Sequence, residues 1–290
     1  MKKIFTTLLM VLGMSATAAF ATPITMTAGD VLFTFNIYAT GTGSYPTTTN
    51  GILCNSIAAC DAIPGQVAAP DAFGDDIWGI FSIASISNIS TGDTFWTRGL
   101  NGQYLTGLFG GMQDAALEVT GSALGGEKTT DSYTTGGYMN MYYNTADYDP
   151  TLSTTGRTSE FAFTGITSGD LALSAVFAGS AAAGLPYSYV ASTKTQSMSG
   201  TGKGFMDVTG GSMYGDLNTN SMTDTQGNGR DLYFDVVYND SNGVATSIGW
   251  DVAGAGTVRG KVQTVSEPGT LALMGLGLMG LAGIARRKIK

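Results

Sequence analysis

The residues best able to do chemistry in this chain are oxygen donors. Asp216, Asn218 and Asn220, followed by Asp224, stand at the first, third, fifth and ninth places of a loop, the spacing by which a chain wraps oxygen ligands around Ca²⁺. Two positions depart from that pattern: Ser221 stands where the loop turns on a Gly, and Gly227 stands where a bidentate Glu closes the coordination sphere. A solvated polar turn is the competing reading. Asp71, Asp75 and Asp76 form a second acidic group that could draw a hard cation. Trp78, Trp96 and Trp250 are potential platforms for a sugar ring, with core packing as the default for all three. Of these, Trp250 sits on an alternating apolar face, whereas Trp96, beside Arg98, is the better placed for exposure.

What the composition lacks narrows the chemistry further. There is no His among the 290 residues, which removes Ser-His-Asp and Cys-His catalysis and every His-containing metal site. Glycoside hydrolysis needs two carboxylates at a fixed separation, but any pair among 22 acidic residues meets that on paper, so no pair is singled out. No Gly-rich stretch is followed by the Lys and Ser or Thr of a phosphate cradle, and nucleotide binding is dismissed. Six of the 14 basic residues, Lys2, Lys3, Arg286, Arg287, Lys288 and Lys290, lie at the extreme ends, while all 22 acidic residues lie between 22 and 267. The interior should therefore repel nucleic acid and bare anionic membrane and attract cations. Calcium is the one cofactor in view, no catalytic residue is assigned, and no enzyme is expected.

Period-2 alternation recurs through residues 22–265. Val31, Phe33, Phe35 and Ile37 share one face; Met139, Met141 and Tyr143 share another; Leu232, Phe234, Val236 and Tyr238 a third; Ile248, Trp250 and Val252 a fourth. Turn sequences such as Ser90-Thr91-Gly92-Asp93 and Thr167-Ser168-Gly169-Asp170 separate such runs. Many short strands between polar turns predict an all-β, antiparallel β-sandwich of jelly-roll or lectin-like kind. Leu171 to Ala183, rich in Ala, is open to either helix or strand. Tyr45 to Pro70 reads as an irregular excursion, and no internal repeat is evident.

The two ends are built differently. Residues 1–21 have a basic start, an apolar stretch from Ile4 to Met14 and small residues up to Ala19-Phe20-Ala21, which is the form of a secretory signal peptide cut after Ala21. The Sec translocon and signal peptidase are the partners this implies. In an exported chain Cys54 and Cys60 are expected to close a small disulfide loop. At the other end, residues 266–290 read Ser266-Glu267-Pro268, then an uncharged run to Ala285, then a basic tail of Arg286, Arg287, Lys288 and Lys290. Thr270 to Ala285, as a helix rising ~1.5 Å per residue, reaches only ~24 Å against the ~30 Å of a hydrocarbon core. It is expected to be a short transmembrane helix in the inner membrane, with its basic end cytoplasmic.

The order Ser266-Glu267-Pro268, Gly-Thr-Leu-Ala-Leu, a glycine-spaced apolar run and Arg286-Arg287-Lys288 resembles the PEP-CTERM sorting domain, with Ser266 in place of the usual first Pro. The resemblance covers residues 265–290. It implies recognition by an exosortase, a membrane-embedded transpeptidase-like enzyme acting near the tripeptide, and hence release or transfer of the protein to the cell surface. It also implies a setting of exopolysaccharide production and biofilm. The reading is thus a non-enzymatic exported protein; a Ca²⁺-assisted lectin-like module is the first alternative and a secreted hydrolase the second.

Overall fold

The computed structural model describes residues 24–40, 50–63, 77–121, 126–151, 165–182, 184–194, 199–239 and 243–263. Along them run the strands β1 (Gly29–Thr40), β2 (Gly51–Cys54), β3 (Ile77–Asn88), β4 (Thr94–Thr97), β5 (Tyr104–Gly121), β6 (Lys128–Asn144), β7 (Asp170–Phe177), β8 (Tyr189–Lys194), β9 (Ser199–Gly210), β10 (Met222–Thr223), β11 (Gly229–Arg230), β12 (Leu232–Asn239) and β13 (Val252–Val262). Three short helices accompany them: α1 (Ile57–Asp61), α2 (Tyr214–Leu217) and α3 (Val244–Ser247). Among the described residues no helix is long and apolar enough to cross a membrane. The expected signal peptide and C-terminal helix lie outside the described residues.

All the pairings are antiparallel, and they close on themselves. β1 lies between β13 and β3, β3 pairs with β5, and β5 pairs with β6 along nearly its whole length. β6 then takes two partners in series, β8 along residues 129–134 and β7 along residues 138–143. Both pass to β9, and β12 joins β9 to β13. The result is a closed barrel of eight staves, one of them made of β7 and β8 end to end. The handover from β8 to β7 falls at Gly136 and Gly137, whose φ of 73° and 103° a side chain would resist. The all-β antiparallel class is as expected, and the facing layers of the expected sandwich are opposite walls of this single sheet. Closure leaves the main ladder without an unpaired edge.

The interior is filled by cross-strand pairs of large rings over glycines. Phe35 lies opposite Gly256, Phe81 opposite Gly107, Phe109 opposite Gly79, and Tyr238 opposite both Gly200 and Gly254. A Cβ on Gly256 would come 2.5 Å from Phe35 Cζ, and one on Gly79 would come 2.8 Å from Phe109 Cζ, so the ring occupies the space a side chain would need. At the centre Phe234 has ring centroids of Phe35, Phe177, Tyr189 and Phe109 at 5.3, 5.5, 6.1 and 6.3 Å. The outer wall carries Asn36, Lys203, Asp235, Arg259 and Lys261, and an apolar inside with a polar outside is the reverse of a bilayer-spanning barrel.

Two local readings change. Leu171 to Phe177 is strand, because Leu173, Ala175 and Phe177 alternate into the core and pairing with β6 and β9 overrides alanine's helix preference. β13 begins at Val252 rather than at Ile248. Trp250 instead follows α3, bonds its backbone N–H to Ala245 and packs outside the barrel on Trp78, at 5.4 Å, and Tyr38.

Candidate functional site: the two poles of the barrel

The barrel has two unlike ends. At one pole, open among the described residues, where β1 ends, β12 ends and β13 begins, a cavity of about 50 Å³ remains between Ile37, Ala39, Phe109, Ala191, Phe234 and Val236. Its polar lining includes Thr40, Ser132, Thr193, Tyr238 and Asp251. Tyr238 OH and Thr193 Oγ1 share a hydrogen bond of 2.6 Å, and burial pushes the Tyr238 phenol up to about 12. Tyr189 is raised well above its ordinary value, first by burial and then by Tyr238 and Asp235. Ser132 donates a short hydrogen bond to the fully buried Asp114. Thr40 Oγ1 has no hydrogen-bond partner among the described residues. Two phenols held neutral and a cavity of this size suit a few water molecules, each needing roughly 10–15 Å³, and leave no room for a sugar ring.

A larger recess runs along the outer wall, where Ala84, Ala255 and Gly256 are too small to level the surface. It encloses about 560 Å³ and is bordered by Thr34, Asn36, Asp235, Val237 and Thr257. A second recess of about 320 Å³, bordered by Thr129, Ser192, Thr201 and Asn239, shares Val237, which is 60% exposed. Hydroxyl, amide and carboxylate groups on a shallow wall can exchange hydrogen bonds with a hydroxyl-rich chain.

The expected calcium loop is organised by other contacts. Asp224 accepts from Gln226 N and Asn228 N, both at 2.9 Å, from Asn228 Nδ2, and from Arg230 Nε at 3.0 Å. Burial alone would raise this carboxyl, but those donors hold it well below the usual carboxylate range. Arg230 reaches on to Asp207 at 2.7 Å. A cation at Asp224 would have to displace this arginine. Asp216 lies in α2, where desolvation raises its carboxyl, and the backbone carbonyl oxygens of Asp216 and Asn218 both accept from Gln263. The backbone N–H of Asn220, with that of Thr219, goes to Asp231. These contacts organise the loop of Asp216, Asn218, Asn220 and Asp224 as a structural turn, the competing reading of its spacing. Among the described residues no three His, Cys, Asp or Glu side chains are grouped to hold a metal. The sequence reading passed over Asp231, which is 2% exposed and also accepts from Val208 N, and over Arg230. The one available signal was a rare basic residue in an acidic body, six places after Asp224. Asp71, Asp75 and Asp76 lie outside the described residues.

None of the three tryptophans is a platform. Trp78 and Trp96 are 2% exposed and Trp250 is 1% exposed, so Trp96 is core despite its charged neighbour. That neighbour, Arg98, turns away to the carbonyl of Ser82 and to Asp147, 3.5 Å distant. Cys54 and Cys60 form the expected disulfide, which packs with Leu117 of β5 beneath α1.

The opposite pole is capped. Met213 and Leu217 bring α2 into the core, with Ile24 and Met26 packed against the same cluster. The first and last barrel strands are neighbours here, Gly29 facing Val262. Gln263 then bonds through its backbone N–H to Asp216 O at 3.0 Å and through Nε2 to Asn218 O at 2.9 Å. The segment with Ser266, Glu267, Pro268, Arg286, Arg287, Lys288 and Lys290 follows directly. It lies outside the described residues, as do Ala19 and Ala21.

Residues 264–288 match the family model of the PEP-CTERM protein-sorting motif. No curated protein and no solved structure matches the chain.

Proposed function

From a chain that carries a PEP-CTERM protein-sorting motif, and is thereby an exported exosortase substrate, we propose a non-enzymatic barrel that is delivered to the cell surface or extracellular matrix and associates there with exopolysaccharide. The observation that carries this reading is the sorting motif itself, which follows the last barrel strand directly after Gln263, a residue hydrogen-bonded to the barrel's cap. Entry into the export route falls to the N-terminal segment, read by the Sec translocon and cut by signal peptidase after Ala21. The tail then holds the chain at the inner membrane until exosortase acts near Ser266-Glu267-Pro268.

A passive role is supported by the absence of His from the chain and by an interior occupied by rings rather than by a ligand-sized space. Association with exopolysaccharide is supported by the shallow outer recess, where Asn36, Asp235 and Thr257 offer hydrogen-bonding groups beside the apolar Val237 and Ala255. Deleting residues 266–290 tests the sorting step: the truncated protein should no longer reach the destination of the full chain, and unchanged delivery to the surface overturns it. For the polysaccharide step, Asn36→Ala with Asp235→Ala should shift the protein from the matrix fraction to the medium. Equal retention of the two proteins would remove that part of the reading.

A further inference from the structure

Both ends of the barrel leave from the capped pole, and this fixes how the molecule stands on the membrane. β1 starts and β13 ends there, hydrogen-bonded side by side, with Gly29 opposite Val262. Ile24 is packed into the same pole, and its backbone bonds with Tyr143, the inward residue near the end of β6. Gln263 is pinned to the cap by two hydrogen bonds. Each anchored residue lies three positions from a processing site, Ile24 from Ala21 and Gln263 from Ser266. A fully extended chain covers at most ~3.6 Å per residue, so neither processing site can be more than about 11 Å along the chain from the pole.

We infer that the capped pole rests against the outer surface of the inner membrane while the chain is tethered, with the open pole pointing away from it. The inference rests on the reading of residues 264–290 as a membrane-held sorting tail. Ile89, Leu171 and Tyr214, exposed by 49%, 38% and 44%, stand at the end of β3, the start of β7 and in α2 and can meet an interface; Ile52, 71% exposed, lies toward the other pole, so it is the tether that selects the orientation. Apolar side chains and a tyrosine are what an interfacial contact takes up. Asp30, Asp93 and Asp170 lie among them, so the contact is one of short tether and apolar side chains rather than of attraction to anionic headgroups. β1, 12 residues long at ~3.4 Å per residue and tilted by about 40°, sets the open pole roughly 30 Å farther from the bilayer. The cavity is therefore presented outward before the tail is cut.

The test uses the full-length chain in membrane vesicles from cells lacking exosortase. Cys54 and Cys60 are bonded to each other, so a fluorophore attaches to an introduced thiol alone, at Ser90→Cys on the capped pole or at Thr120→Cys on the far hairpin. With a quencher carried on lipid headgroups, the label at position 90 should be quenched several-fold more strongly than the label at position 120. A long Gly-Ser spacer inserted after Gln263 should reduce the quenching at position 90. Equal quenching at both positions, or stronger quenching at 120, overturns the orientation and leaves the sorting reading standing. Intact mass of the protein from cells that contain exosortase reports on sorting separately, and a retained tail there sinks that reading alone. Recovery of the untagged full chain from the soluble fraction of the exosortase-free cells sinks both.

Discussion

Asp224 shows how a polar residue in a loop can be read as a ligand and turn out to be a strut. Its oxygens meet four N–H groups, one belonging to an arginine that is itself largely buried. Asp224→Asn keeps the shape and removes the charge, and should cost about 1–3 kcal/mol at neutral pH, the range for a charge-assisted hydrogen bond. The pH dependence has a definite sign. A carboxyl whose folded value lies below its unfolded one adds stability that is complete above about pH 4 and fades as pH falls toward the lowered value. Melting of the native protein at pH 7 and at pH 3 should therefore differ by more than melting of Asp224→Asn over the same interval. Equal slopes would show that Arg230 does not hold this carboxylate. At Gly256 the constraint is space, since a single methyl group would strike the Phe35 ring and the Asp235 carbonyl. Gly256→Ala should cost about 1–3 kcal/mol by overpacking, read as a fall of several degrees in Tm, whereas Ala at Gly215 in α2, where an added Cβ would meet nothing within 4 Å, should change far less.

At the scale of strands, alternation made the inner faces of β1, β6 and β12 legible, because a period of two is a property of each strand by itself. Ring closure was not legible. It depends on β5 meeting β6 and on β1 meeting β13, and apolar faces look the same whether two sheets stack or one sheet bends round. A subtler signal was present in Ser199-Gly-Thr-Gly-Lys-Gly204, where Gly stands at every second, inward position of β9. Such a row is too bare to form a core alone and implies large rings opposite, which Tyr189, Tyr238 and Phe177 provide. The tryptophans failed as sugar platforms because an adjacent charge says nothing about which face a residue takes. The disulfide was readable from spacing, and its role follows from its place. It ties α1 to β2, a four-residue strand paired on one side only. Replacing both Cys54 and Cys60 by Ser should cost ~2–3 kcal/mol by the chain-entropy estimate. Since the clip lies outside the closed ring, hydrogen exchange should quicken in residues 50–63 while β1, β12 and β13 stay protected. Loss of protection throughout the barrel would mean that the clip supports the ring as well.

For the whole molecule the decisive fact is where the last strand stops. The sorting segment was legible because it is a local pattern of tripeptide, apolar run and basic residues. Its relation to the barrel was not, since that depends on a ladder between residues more than two hundred positions apart. β13 fills the gap between β1 and β12, so the ring cannot close until this strand has been added, and the tail begins two residues beyond its end. A cut between Gln263 and the tripeptide leaves every described residue of the barrel in place. Protein ending at Gln263 should therefore melt within about a degree of protein that retains the tail in detergent, as expected when the removed segment makes no core contact. Ending the chain at Arg259 takes away Gly260, Lys261 and Val262, with their pairing to Val31, Asp30 and Gly29, and also removes Gln263 with its two hydrogen bonds to the cap. Val262 is 2% exposed, so the loss includes a buried side chain as well as ladder hydrogen bonds, and several kcal/mol should go with it. Denaturant melts of the two truncations give the comparison. If both lose stability alike, the segment after Gln263 is part of the folded body, and its removal by exosortase would release a weakened barrel rather than an intact one.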